Sequence, residues 1–268
     1  MRRRDFLTLL AAGTAAGLAG CAGVAAHPRA DPATTPLHPA PLAVTEPAPP
    51  ELLPPLPGSS RIALPGSGTL SRLPGQDDLL ALTLDDGVDT EVVRAYTQLA
   101  TDTGMRLTFF VNGVYDSWTD NLAALRPLVE SGQIQLGNHT WSHPDLTIVS
   151  KIRIAEELNR NDRFLKSTYG VSAAPFYRPP YGRHNAVVDA VAADLGYTVP
   201  TLWSGSLADS TLITEEYIVQ MAHQYFTPRT IVIGHLNHLP VTHVYPQLVE
   251  VIRSRNLRTV TLDDVFLV

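Results

Sequence analysis

From residue 79 onward, hydrophobic positions alternate between two patterns. Residues 79–84 form a short apolar run, the mark of a strand buried on both faces. Val92, Val93, Tyr96 and Leu99 then recur near helical spacing, which predicts a helix over 91–103 stopped at Gly104. The same alternation continues to the end of the sequence. Strands are expected at 106–111, 134–136, 176–177, 198–202, 230–233 and 257–261. Helices are expected at 121–131, 148–169, 186–195, 215–225 and 244–254, several closed by a glycine. Strand and helix alternate about seven times, which implies parallel strands joined by helical crossovers. No internal repeat and no second domain is visible.

The polar residues with chemistry sit where the apolar runs stop. Residues 82–87, Leu-Thr-Leu-Asp-Asp-Gly, end in two adjacent carboxylates, Asp85 and Asp86, which repel unless a cation or an arginine compensates them. Residues 137–147 carry His139 and His143, four apart, directly after an apolar run. On a helical turn both imidazoles would leave one face and reach one metal ion, although the same spacing also suits two surface or capping histidines. Two histidines and one aspartate with open coordination places make a catalytic arrangement, because water or substrate can take the remaining positions.

Asp85, Asp86, His139, Arg178 and His235 all follow the C-terminal ends of predicted strands. Seven units could close as an open doubly wound sheet or as a barrel. Residues from so many strand ends meet at one point only if the sheet curls round. The expected class is therefore α/β, a distorted, partly open (β/α)7 barrel.

Three stretches carry a resemblance: Thr83-Leu84-Asp85-Asp86-Gly87, His139-Thr140-Trp141-Ser142-His143 and Arg178-Pro179-Pro180-Tyr181-Gly182. In order and style the chain resembles the NodB-type polysaccharide deacetylases, carbohydrate esterase family 4, over residues 61–268, and the resemblance implies the same barrel. It implies removal of acetyl groups from N-acetylated sugars. It also implies a divalent metal, expected to be Zn2+ with Co2+, Ni2+ or Mn2+ as alternatives, held by Asp86, His139 and His143. A bound zinc lowers the pKa of its water toward ~7 and polarises a carbonyl. Asp85 is implied as general base; the sequence alone does not separate its role from that of Asp86. Arg178 is the natural partner of Asp85, since a guanidinium can hold a carboxylate bidentately. The backbone N–H of Tyr181 is implied to help stabilise the oxyanion.

The apolar run ending in His235 supplies the general acid, with His238 as its competitor. The residue before this histidine is expected to be a leucine lining the acetyl pocket. Here it is Gly234, which predicts either a wider pocket or another apolar residue that fills it. In residues 202–210 the resemblance implies that Asp209 is the aspartate that orients the acid histidine, and that Ser210 stands where the family carries a tryptophan walling the substrate groove. Trp203 or Trp141 is expected to supply a stacking face instead, with core packing an equal alternative for each.

The beginning of the chain reads differently. Arg2, Arg3 and Arg4 precede an apolar stretch over 7–19, too short to span a bilayer, so residues 1–20 read as a twin-arginine export signal. Leu18-Ala19-Gly20-Cys21 closes it in the manner of a lipobox, with Cys21 as the lipidated terminus. Cys21 is the sole cysteine, so no internal disulfide forms. Eleven of the 22 prolines fall in residues 22–60, which makes 21–60 an Ala/Pro-rich, semi-rigid linker. The expected location is the outer face of a bacterial cell membrane, through Cys21 alone, or secretion.

Acidic side chains outnumber basic ones by 26 to 20, a formal charge of −6, and loss of the leader would make it more negative. Nucleic-acid binding needs a basic footprint and is not expected. The expected partner is an acetylated glycan, peptidoglycan or chitin-like, met by a monomer. Two other readings share the residues: an O-acetyl esterase of the xylan type with the same site, and a non-catalytic glycan-binding lipoprotein. A structural zinc is disfavoured, because such sites are closed, usually by cysteine.

Overall fold

The computed structural model describes residues 61–66, 68–75 and 78–268. The export signal, the lipobox with Cys21 and the linker lie outside these residues. In chain order the first elements are β1 (Ile62–Ala63), β2 (Leu79–Asp86), α1 (Thr90–Thr103), β3 (Leu107–Val111), α2 (Ser117–Asp120) and α3 (Leu122–Glu130). Next come β4 (Ile134–Asn138), α4 (Lys151–Tyr169), β5 (Phe176–Tyr177), α5 (Ala186–Asp194), β6 (Val199–Pro200) and β7 (Gly205–Ser206). The chain closes with α6 (Glu215–Tyr225), β8 (Ile231–His235), α7 (Tyr245–Ser254), β9 (Arg258–Thr259), α8 (Leu262–Val265) and β10 (Phe266–Leu267).

The parallel strands follow the order β6-β5-β4-β3-β2-β8-β7, and β9 pairs the first residues of β2. The sheet curls and stays open between β6 and β7, giving the distorted, partly open (β/α)7 barrel that the alternation predicts. Residues 70–73 cross that opening. Leu70 N–H donates to Pro200 O at 2.9 Å and Leu202 N–H to Leu70 O at 2.8 Å on one edge, while Leu73 N–H donates to Arg229 O at 2.9 Å on the other.

Period-two alternation divides the core. Leu79, Ala81, Phe110, Phe176, Val199 and Ile231 share an inner cluster with Val260 and Phe266. Leu80, Leu82, Leu84, Phe109, Val111, Leu136 and Val232 pack outward against the helices. β2 is buried on both faces, which is why its sequence runs almost unbroken in leucine.

The helices begin and end where their caps dictate. Asp89 accepts from the backbone N–H groups of Glu91 and Val92 to start α1, and Gly104 ends it in the left-handed region at φ 71°. The helix expected from residue 148 starts later, at Lys151, because Ser150 accepts from Arg153 N–H as its cap; Leu146–Ile148 is a separate 3-10 turn. β1, β7 and β10 were not expected; at two residues each they carry no readable periodicity. Among the described residues, no helix is long and apolar enough to cross a membrane.

Candidate active site

The inward series of β2, Leu79, Ala81 and Thr83, ends in Asp85 at the C-terminal mouth of the barrel. Asp86 would point outward by the same alternation, but its φ of 76° takes it out of strand geometry. Gly87 follows at φ 102°, and a Cβ there would lie 2.3 Å from the Trp118 ring, so only glycine fits. Asp86, Thr140, His143, Tyr181 and Ala208 all have positive φ, and each belongs to a loop at this mouth. Such strain, on the order of 1–3 kcal/mol each, persists where packing over-determines the backbone and is a mark of functional sites.

The two aspartates have separate partners. Arg178, fully buried, donates from Nη1 to Asp85 Oδ1 at 2.6 Å. Its other nitrogens go elsewhere, Nε to Thr201 O at 3.1 Å and Nη2 to Leu202 O at 3.2 Å. The clasp is therefore single, not bidentate: the backbone after β6 fixes the guanidinium edge-on to Asp85. Phe110 lies beneath it, 4.1 Å from the guanidinium carbon to the ring centre. Asp86 offers Oδ1 to both imidazoles, 3.5 Å from His139 Nε2 and 3.6 Å from His143 Nε2. Asp85 Oδ2 lies 3.5 Å from His139 Nε2. Burial works against the Asp86 charge, but His139, the Asn237 hydrogen bond and His143 outweigh it and bring the pKa below the usual carboxylate value.

The histidines do not sit on a helical turn. β4 ends at Asn138, and His139 to His143 form an irregular loop with Thr140 at φ 71° and His143 at φ 58°. What holds this loop is a set of buried polar side chains. Asn138 Oδ1 accepts from Thr140 N–H at 2.9 Å and from Asn161 Nδ2 at 2.9 Å. Asn112 Nδ2 donates to the carbonyls of His139 and Thr140. Glu157 accepts from Ser142 N–H and Oγ, both at 2.7 Å. His139 Nδ1 lies 2.7 Å from Arg178 O. A carbonyl only accepts, so Nδ1 carries a proton and Nε2 is the atom turned toward the aspartates. Burial, then the neighbouring His139, pull the His143 pKa down to about 4, which favours the neutral ring there.

Beside β2, β8 ends in His235, in register with Asp85. Asp209 Oδ1 lies 3.0 Å from His235 Nδ1, and Asp209 Oδ2 accepts the His235 backbone N–H at 3.2 Å. Burial opposes the charged ring, yet the hydrogen bond and charge of Asp209 prevail and raise its pKa above 6.5. His238 caps the following 3-10 turn and is not part of the cavity wall.

One cavity of about 510 Å³ is lined by Asp85, Asp86, His139, His143, Tyr181 and His235, and also by Trp203, Ser206, Ser210 and Ile233. Tyr181, 61% exposed, stands edge-on over His143 with ring centres 4.6 Å apart. Trp203 stands on the wall, while Trp141 packs against Phe164 and lies under the Arg160 guanidinium. Gly234 does not widen this cavity. Ile233 faces it, and Gly234 lies on the opposite face of β8, where a Cβ would meet Leu84 at 2.8 Å, Leu207 at 3.1 Å and Asp209 at 3.4 Å. The expectation placed the pocket residue one position too late, and a one-residue slip in a strand reverses its face.

Asp86, His139 and His143 bring one ligand atom each within 4.8 Å of one another. With both Nε2 atoms turned to Asp86 Oδ1 and that carboxylate held below the usual pKa, this donor set fits a divalent cation and leaves coordination places open. Sequence reasoning missed Asn112, Asn138, Asn161, Glu157 and Asn237. Asn161 was legible in part, since Ile154, Leu158, Asn161 and Leu165 form one helical stripe and a polar residue in such a stripe needs a partner.

Residues 72–200 match the family model described as polysaccharide deacetylase. Chitin deacetylase 1 of Cryptococcus neoformans var. grubii is 35% identical over 134 residues, 49% of this chain and 27% of that protein. A peptidoglycan-N-acetylglucosamine deacetylase of Bacillus cereus is 27% identical over 196 residues, 70% of this chain and 68% of that protein. In three of the curated relatives the matched stretch is less than half of the relative's own length. By structure, a family 4 carbohydrate esterase pseudoenzyme from Bacillus anthracis matches with a TM-score of 0.66 at 17% identity, covering 75% of this chain and 69% of that one, which speaks to the fold alone. With that fold around the three motifs, residues 72–200 are thus similar in sequence, and the described chain in fold, to polysaccharide deacetylases.

Proposed function

We propose that the chain is a metal-dependent hydrolase that removes acetyl groups from N-acetylated sugars of a cell-envelope polysaccharide. The observation that carries this reading is the meeting of a base and an acid in one cavity, at the paired ends of two neighbouring strands. Asp85 at the end of β2 is clasped by Arg178 and His235 at the end of β8 by Asp209, with the Asp86–His139–His143 cluster in the same lining. A pure binding protein has no use for that pairing. Since a pseudoenzyme shares the fold, these residues and not the barrel carry the proposal.

A divalent cation, zinc as the first choice, held by Asp86, His139 and His143 would polarise the acetyl carbonyl and acidify a water. Asp85 takes a proton from the water as its oxygen attacks the acetyl carbon. Arg178 keeps Asp85 in place and off the cluster by holding Oδ1. The Tyr181 backbone N–H serves the developing oxyanion. His235 gives its proton to the sugar nitrogen as the carbon–nitrogen bond breaks, releasing acetate and a free amine. Trp203 offers a sugar-stacking face beside Ser206 and Ser210. The export signal and lipobox favour a domain tethered by Cys21 outside the membrane, with peptidoglycan as the first substrate to try.

The test is acetate release by the purified chain from a panel of N-acetylated and O-acetylated glycans, with zinc, with chelator, and for Asp85→Asn. Metal-dependent release from N-acetylated substrates, lost in the variant, is expected. Preference for O-acetylated xylan would make it an esterase. Zinc uptake without any release would make it a binding protein.

A further inference from the structure

Asp86 has two oxygens, and only one faces the imidazoles. Oδ1 lies 3.5 Å and 3.6 Å from the two Nε2 atoms, whereas Oδ2 accepts a hydrogen bond from Asn237 Nδ2 at 2.7 Å. Asn237 lies two residues beyond His235, on the loop leaving β8. Its own carbonyl, Oδ1, accepts from Val88 N–H at 3.4 Å, so the amide bridges the loop after β8 to the loop after β2. Two backbone bonds run beside it, Leu236 N–H to Asp85 O at 2.9 Å and Asp89 N–H to Leu236 O at 3.0 Å. The amide is thus held in orientation, with its nitrogen on the carboxylate.

We infer that Asn237 is a positioning residue for the metal centre, which restricts Asp86 to a single ligating oxygen. This rests on the metal-site reading above. A carboxylate can bind a cation through one oxygen or two, and hydrogen-bonded partners behind a ligand fix which. With Oδ2 engaged, three protein atoms remain, one each from Asp86, His139 and His143, and the other places stay open for water and substrate. Asn237 therefore links the strand that carries the acid, β8, to the ligand at the end of β2. It also accounts for the positive φ of Asp86, a conformation that aims Oδ1 into the cluster while Oδ2 meets the amide.

The experiment is zinc titration of the purified full-length chain against a competing chromophoric chelator, for wild type, Asn237→Ala and the volume-matched Asn237→Leu. Metal-free thermal unfolding is measured on the same samples. Zinc affinity is expected to fall about 10- to 100-fold in both variants, with the metal-free melting temperature unchanged. Cobalt-loaded samples should also change their visible spectrum, as Asp86 gains a second ligating oxygen. Wild-type affinity in the leucine variant, or a loss of affinity matched by a fall in metal-free stability, would overturn the inference. Wild-type protein that takes up no zinc would fail the metal-site reading itself and this inference with it.

Discussion

Asp209 grips His235 at two points, ring and backbone. One carboxylate oxygen meets Nδ1 at 3.0 Å and the other the N–H of the same residue at 3.2 Å, so ring and strand end are fixed together. Only the protonated ring can act as the acid, and Asp209 favours that form, raising the pKa above 6.5 against the opposing effect of burial. Activity should therefore fall on the alkaline side as pH rises through this raised value. In Asp209→Asn the hydrogen-bond geometry can remain while the charge is gone, so the alkaline limb of kcat/KM moves to lower pH. His235→Ala removes the acid altogether and should cost about 10²- to 10⁴-fold in kcat. A pH profile of acetate release checks both, and an unmoved limb in Asp209→Asn would assign the limb to another group.

Arg178 and Asp85 form a fully desolvated pair. Breaking such a pair from one side strands a buried charge, at a cost of about 3–5 kcal/mol, whereas replacing both members with apolar side chains of similar size is close to neutral. Arg178→Met should thus lower the urea midpoint sharply in chelator. Asp85→Leu in the same background should restore most of the loss without restoring activity. Equal loss in the double variant would mean that Arg178 stabilises through Thr201 and Leu202 and not through Asp85.

The barrel was legible because its evidence is repetitive: each parallel strand buried on both faces reads as an apolar run, and each helix carries a stripe and a cap. The chemical residues were legible because they occupy the points where those runs stop. The loop geometry was not. His139 and His143 share a site through two positive-φ residues and three buried asparagines, not through a helical turn, and neither φ nor a long-range side-chain bond has a periodic signature. Short elements escaped for a related reason: the two residues of β7 pair with β8 only because the barrel brings them there.

Ile233 and Gly234 show the same limit at a single peptide bond. Ile233 lines the cavity, so Ile233→Ala should enlarge the acyl pocket and raise the relative rate on propionylated over acetylated substrate, at a stability cost of about 2–5 kcal/mol for a side chain only 4% exposed. Gly234→Leu should leave acyl preference unchanged where it folds and destabilise by about 1–3 kcal/mol or more, since its Cβ alone already presses on Leu84 and Leu207. Acyl-chain competition separates the two. A pocket effect from position 234 would reinstate the expectation that this residue faces substrate.

Asn161 carries the last prediction, because it acts on the site without touching the cavity. Its Nδ2 donates to Val111 O at 2.7 Å and to Asn138 Oδ1, and its Oδ1 accepts from Gly113 N–H at 3.0 Å. One side chain on α4 thus ties the ends of β3 and β4 together, next to the loop that presents both histidines. Asn161→Leu has a similar shape but leaves the buried Gly113 N–H without its partner, at about 1–3 kcal/mol, while Val111 O keeps the bond from His139 N–H. Asn138 also loses one of the two donors that hold its carbonyl toward Thr140. The variant should therefore melt earlier and bind zinc more weakly, and the weaker binding should persist at temperatures well below its melting point. Unchanged zinc affinity in the folded variant would show that Asn112 and Glu157 suffice to hold the loop and that Asn161 serves stability alone.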